Sequence, residues 1–385
     1  MIPYGRQDIT SADIDAVVDV LRSDYLTQGP VVPKFESAIS SYCGAQHAVA
    51  VNSATSALHI ACLALGLGPG DVLWTSPITF VASANCALYC GATVDFVDID
   101  PRTFNLSVEA LRLKLEEAER VGQLPKIVVP VHFGGLPCDM GAIGKLSRQY
   151  GFFVIEDASH AIGARYRDMP VGSGEHSDIT VFSFHPVKII TTGEGGAAVT
   201  NDAALAEKMT LLRSHGITRD PEKMDREPDG DWYYQQIELG YNYRMTDIQA
   251  ALGLSQITRL DSYVRRRHEL ACRYDEMLAE LSVTAQHRPG DCYSGMHLYV
   301  IRLSQERCEK THKQVFDYLR TAGIGVNLHY IPVHLQPCYR ERGFVSGDFP
   351  ESERYYTSAI SLPMYPVLDE VEQLEVMDVL KGALV

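Results

Sequence analysis

Between Ala45 and Asn201 the chain alternates two kinds of apolar pattern. Short continuous runs at His47–Asn52, Asp71–Ser76, Thr93–Ile99, Lys126–His132, Phe152–Asp157, Asp178–Phe184 and Ala197–Thr200 read as buried strands. Segments with helical spacing at Ala54–Leu65, Phe80–Cys90, Val108–Ala118 and Met140–Tyr150 lie between them. Strand–helix alternation of this kind predicts an α/β fold with a mostly parallel sheet. Pro130 inside one run marks a strand edge or end. Gly66, Gly68 and Gly70 imitate a dinucleotide fingerprint, but they follow a helix rather than a strand. They read as a helix stop, which disfavours an NAD-binding domain.

The second half has a different texture. Ile248, Leu252, Ile257, Leu260 and Val264 recur at helical steps and predict one long helix over about Thr246–Leu281. Arg265 to His268 on it read as a solvated face. The expected strands His297–Leu303 and Gly325–Ile331, and an amphipathic helix from Asp369, suit a small α+β domain. The division expected is 1–255 for a large domain, with its N-terminal segment at the active site, and 256–385 for a small one. Residues 220–232 are charged, carry two prolines and read as an exposed, mobile loop.

Bulk properties narrow the function classes. The 385 residues suffice for two domains, and 46% hydrophobic with 22% charged residues is ordinary for a globular protein. A net charge of −15 argues against nucleic acid as a partner. An anionic small substrate remains open, since Arg213, Arg219, Arg244 and His329 can supply local donors. Nine cysteines without a CxxC pair read as reduced, buried thiols in a cytoplasmic protein, with no metal expected. No signal peptide and no membrane span are expected.

Three segments carry the chemistry. Lys188 follows the apolar run ending at Phe184 and precedes Thr192-Gly193-Glu194-Gly195-Gly196. An amine on a short loop between strands suits a Schiff base with a carbonyl cofactor; the plainer reading is a solvated lysine. Asp157 falls at a strand's carboxyl end, where open α/β sheets place ligands, and can pair with a protonated pyridine nitrogen. The plainer reading is a helix N-cap. His160 lies one turn on, within reach of such a ring. Asn52 to Ser56 put small hydroxylated residues at a helix start, suited to phosphate or simply to capping.

In this order these segments resemble the DegT/DnrJ/EryC1/StrS family of sugar aminotransferases, which depend on pyridoxal 5'-phosphate (PLP). The likeness runs from Tyr25 to Pro363, and no cofactor position departs from the pattern. It implies the type I aminotransferase fold, with a mostly parallel mixed sheet and a smaller C-terminal α+β domain, and a homodimer with shared active sites. It implies that L-glutamate donates the amino group to a nucleotide-linked keto sugar. By this likeness Lys188 carries the cofactor and moves the proton, Asp157 pairs with the ring nitrogen and His160 neighbours the ring hydroxyl. Ser183, Ala54 and Thr55 resemble phosphate contacts, with Ala54 and Ser183 also facing substrate. Phe80 resembles the stacking aromatic, its plainer reading being a core ring. Asn242 resembles the residue that enters the partner's site.

The wording Phe184-His185-Pro186-Val187-Lys188, Arg213-Ser214-His215-Gly216 and Asn327-Leu328-His329-Tyr330 narrows the substrate. It resembles family members that aminate C4 of a UDP-linked 4-keto-6-deoxy-N-acetylhexosamine in pseudaminic acid synthesis. Tyr4, Leu26, Thr27, Gln28, Gly29, Asn327, Leu328, His329 and Tyr330 would then line the sugar-nucleotide site. For His329 and Tyr330 the alternative is packing at a domain junction. The rival functions are amination of a dTDP- or GDP-4-keto-6-deoxyhexose, sugar dehydration, and non-enzymatic sensing of PLP or a sugar nucleotide. A dehydratase would lack the lysine. A sensor would bring a DNA-binding segment before Ala45, where none is read.

Overall fold

The seven apolar runs form one sheet in the computed structural model, which describes residues 1–304 and 309–384. Its strands are β1 (His47–Val51), β2 (Val72–Thr75), β3 (Thr93–Phe96), β4 (Ile127–Val129), β5 (Phe153–Asp157), β6 (Ile179–Ser183) and β7 (Gly196–Thr200). Their order is β1-β7-β6-β5-β4-β2-β3. Only β7 runs against its neighbours β1 and β6; every other pair is parallel. Helices such as Ala54–Ala64 and Met140–Tyr150 cover the faces, so the inner strands are largely buried, while edge strand β3 alternates between exposed Thr93 and half-buried Asp95 on one side and buried Val94 and Phe96 on the other. β4 ends before Pro130, whose carbonyl still accepts from Asp157 N–H.

A second core gathers around three antiparallel strands, β8 (Val283–Ala285), β9 (Tyr299–Leu303) and β10 (Ala359–Leu362). Ile2 is buried in it, and its N–H and carbonyl bond to Gly323 and Gly325. A Cβ on Gly325 would meet Ile2 O at 2.7 Å, so this close approach requires glycine. The N-terminus is thus pinned to the C-terminal part of the chain.

Three expectations fail here. The long helix is two, Asp247–Ile257 and Leu260–Leu278. At the junction Thr258 and Arg259 N–H turn to carbonyls three residues back, and the Arg259 guanidinium grips buried Asp13 at 2.6 and 2.8 Å. The apolar spacing runs through this break, so periodicity alone does not register it. The Arg265–His268 run is not wholly solvated. Arg267 is 1% exposed and donates to the carbonyls of Met296, His297 and Met364. Residues 325–331 form no strand; isolated bridges tie Ile324 to Ile2 and Asn327 to Ser361. The strand paired beside β9 is Ala359–Leu362.

Candidate active site

The chain makes the Lys188 loop by pinning its two ends. Phe184 N–H donates to Gly195 O at 2.9 Å, while Phe184 O accepts from Thr192 N–H and the Thr191 hydroxyl, each at 3.0 Å. Lys188 N–H closes a turn onto His185 O. The side chain is half-buried, and among the described residues nothing hydrogen-bonds its Nζ. Burial pushes the ammonium down to about 8, with the Asp157 carboxylate pulling the other way. An amine poised near neutrality is what nucleophilic chemistry needs.

Asp157 ends β5 and is 5% exposed. Ser83 Oγ donates to its Oδ2 at 2.6 Å and Ser159 N–H to its Oδ1 at 3.1 Å. Turns rather than a helix follow it, so the N-cap reading fails. Thr79 and Ser83 hydroxyls lie 2.7 Å apart and extend the network. This carboxylate is oriented yet has no cation among the described residues bound to it, leaving it able to pair with a cationic ring nitrogen.

His160 is also 5% exposed. Its Nδ1 accepts from Gly134 N–H at 3.3 Å, which assigns the ring proton to Nε2. Nε2–H then donates to Tyr330 Oη at 3.1 Å. The phenol keeps its own proton to give elsewhere. Burial, then the nearby Lys188 and His329, hold His160 well below the ordinary histidine range. Burial, with Asp157 and Tyr4 nearby, holds Tyr330 protonated. Phe80 is 59% exposed, not a core ring, and lies 6.2 Å from the Tyr330 ring centre.

His329 is buried with both nitrogens engaged. Asn327 Oδ1 accepts from Leu328 N–H, so its amide NH₂ faces His329 Nε2 at 3.3 Å; Nδ1 then donates to Ser361 Oγ at 2.8 Å. Burial, then Lys188, pushes this ring down to about 3. It is neutral and offers no cation to a phosphate. The Tyr4 ring packs 5.4 Å from it.

At the other end, Ser53 caps the Ala54–Ala64 helix through Ser56 N–H, so the plain capping reading holds for Ser53. The N–H groups of Ala54 and Thr55 find no acceptor among the described residues. Gly196 pairs with Ser183, and a Cβ on it would meet Ala54 N at 2.5 Å. The missing side chain lets the helix start sit against the strand carrying Ser183. Free N–H groups at a helix N-terminus beside a hydroxyl suit a phosphate.

Leu26 to Gly29 and Asn242 make no hydrogen bond to Lys188 or Asp157 among the described residues, but Asn52, just before the helix start, donates its side-chain amide to Asn242 O at 3.4 Å. Asp247 accepts from Gly29, Val31 and Val32 N–H at 2.6, 3.1 and 2.8 Å, fixing the turn. Gln28 and Gly29 line a cavity of about 480 Å³ with Arg213, Arg219 and Arg244, and Lys188 is not among its walls. Arg213 is paired with Glu36, whereas among the described residues Arg244 donates its guanidinium to Ser214 Oγ alone, at 3.2 Å. The Asn242 side chain is exposed, its backbone bridged to Ser214.

Sequence reasoning missed Ser83, Asp247 and His297. His297 packs 4.4 Å from the His160 ring, and its Nδ1 is buried without a partner. Ser83 stands in the helical segment Phe80–Cys90, but nothing local aims it at Asp157, 74 residues on.

A half-buried amine of lowered pKa, an oriented carboxylate at a sheet's carboxyl edge and a helix start with free N–H groups together define an aminotransferase of the α/β type. The chain belongs to the DegT/DnrJ/EryC1/StrS aminotransferase family, which matches residues 7–381. The spore coat polysaccharide biosynthesis protein SpsC of Bacillus subtilis is 40% identical over 390 residues, covering 99% of this chain and 98% of that one. The UDP-4-amino-4,6-dideoxy-N-acetyl-beta-L-altrosamine transaminase of Campylobacter jejuni (serotype O:23/36) is 38% identical over 385 residues, with 99% and 96% covered. The solved structure of Helicobacter pylori PseC, an aminotransferase of pseudaminic acid biosynthesis, superposes with a TM-score of 0.90 at 31% identity, covering 100% and 99%.

Proposed function

We propose that this aminotransferase uses PLP to move the amino group of L-glutamate to C4 of a UDP-linked 4-keto-6-deoxy-N-acetylhexosamine. The observation that carries the reading is the pairing of Lys188, with its amine at about 8, and the uncompensated carboxylate of Asp157. When bound, PLP supplies the electron sink for the carbon that exchanges its amine. Lys188 and Asp157 would hold its reactive ring, Phe80 would stack on it, and Ala54, Thr55 and Ser183 would take its phosphate.

The chain's own groups do the rest. Lys188 Nζ, which titrates at about 8, accepts and returns a proton. Asp157, fixed by Ser83, keeps a proton on a ring nitrogen. His160 stays neutral and so does not cancel that carboxylate. Tyr330 donates its phenol proton into the site. Arg219 and Arg244 offer cations to the diphosphate from the cavity beside Gly29.

Because Lys188 does not line that cavity and the Asn242 side chain is exposed, we read the working unit as a homodimer with each cavity facing the partner's lysine. Exposed Trp232, Tyr234, Ile237 and Leu239 supply an apolar surface for it. The division at 255, inside the last turn of the Asp247–Ile257 helix, and a cytoplasmic location belong to the same reading. The Campylobacter and Helicobacter relatives support the UDP sugar; SpsC, equally similar, leaves a dTDP- or GDP-linked 4-keto sugar as the rival.

The test is product analysis with glutamate and a panel of UDP-, dTDP- and GDP-linked 4-keto sugars. Amination of the UDP-N-acetyl sugar with the highest kcat/KM supports the reading. A preference for another nucleotide moves the enzyme to a sister branch.

A further inference from the structure

A second set of reactive side chains lies beneath the helices Ala54–Ala64 and Ala82–Tyr89, and transamination leaves it unused. His59 and Cys62 stand one turn apart on the first helix; Cys86 and Cys90 stand one turn apart on the second and at its C-cap. Cys62 and Cys86 are fully buried, His59 is 4% exposed and Cys90 9%. The three sulfurs belong to one core cluster. His59 Nδ1 is bonded to Tyr243 Oη at 3.1 Å, and its Nε2 is buried with no partner. Nε2 is thus the ring nitrogen left uncommitted, and His59 and Cys62 are the groups that act on the Cys90 thiol. These contacts, Cys62 first and His59 next, pull the Cys90 thiol down against burial. Cys62 is pushed up by Cys86, Cys90 and burial. Cys86 is committed elsewhere, its Sγ lying 3.2 Å from Ser83 O. Among the described residues no such group has the geometry to hold a metal ion.

We propose that Cys90 and Cys62 form a peroxide-sensitive dithiol, with His59 as the base that takes the Cys90 proton. The Cys90 thiolate attacks one oxygen of a hydroperoxide, the O–O bond breaks, and the departing hydroxide takes the proton from His59 as water. Cys90 is left as a sulfenic acid. The Cys62 thiol attacks that sulfur, the S–O bond breaks, a second water leaves and the S–S bond forms. Two thiols are oxidised by two electrons and one peroxide is reduced. Within this cluster Cys90 is the reactive partner, because it is the most exposed of the three thiols and has His59 as a basic neighbour. The oxidised pair draws the end of the Ala82–Tyr89 helix toward its neighbour. That helix also carries Ser83, which orients Asp157, so oxidation lowers activity reversibly.

The holoenzyme is treated with hydrogen peroxide and digested without reduction. A cross-linked peptide pair holding Cys62 and Cys90 is expected, with activity falling several-fold and returning with dithiothreitol. Cys62→Ser should leave a Cys90 sulfenic acid that dimedone traps. His59→Phe should slow the link by about tenfold, the thiolate fraction being smaller. The Cys62→Ser/Cys90→Ser double variant should keep its activity through the treatment. Recovery of Cys90 as a free thiol after exposed Cys272 and Cys338 have oxidised would overturn the proposal, as would a link between Cys62 and Cys86 instead. A Cys62–Cys90 disulfide without loss of activity would overturn the regulatory role. Thiol mapping of the unaltered protein decides the site even if a variant fails to fold, and it does not depend on which sugar the enzyme aminates.

Discussion

Ser83 Oγ donates to Asp157 Oδ2 at 2.6 Å, joining a helix that follows β2 to the carboxylate that ends β5. The bond fixes the direction in which the carboxylate presents its free lone pairs. Ser83→Ala should keep PLP bound but lower kcat by roughly ten- to 150-fold, matching roughly 1.5–3 kcal/mol for a hydrogen bond to a charged group. Steady-state kinetics checks this; a kcat within twofold of the parent would leave Ser83 without a positioning role.

The lower half of the site should make the protein acid-labile. His329 is held down to about 3, and His160 and His297 well below the ordinary value, chiefly by burial. In the unfolded chain histidines titrate near about 6.5. Below that value the unfolded state binds more protons than the folded one. Stability is therefore full above about 6.5 and lost as pH falls, for His329 down to about 3. Urea midpoints should drop between about pH 7 and about pH 5, and His297→Leu should flatten that slope. An unchanged slope in the variant would mean His297 is not one of the groups responsible.

Much of this was legible in the sequence because it is local. A strand covered on both faces reads as a near-continuous apolar run, and with the helical segments between them the strands of the large sheet could be placed. Asp157 and Lys188 follow from where two of those runs stop. The remainder is tertiary. Ser83 and Asp247 act across 74 and about 216 residues of chain, and Arg267 looks solvated until three carbonyls surround it. Phe80 was legible only through the family likeness, since an exposed ring and a core ring share the same letter.

The dimer reading makes a prediction of its own. Lys188→Ala and Asn242→Ala should each be nearly inactive. Mixed and reassembled as hybrid dimers, they should regain part of the parent activity, because one site per hybrid then holds both intact residues. Absence of recovery, with subunit exchange verified by mass spectrometry, would place Asn242 in its own chain's site or in none.

Lys188 is the most direct point of attack on the whole account. With its amine at about 8, it should react with PLP increasingly as pH rises through that value, where the neutral form takes over. Borohydride reduction of the PLP-loaded enzyme, followed by peptide mapping, should place the pyridoxyl group on Lys188 and abolish activity. A label on any other lysine, or an active enzyme after complete labelling of Lys188, would contradict the account.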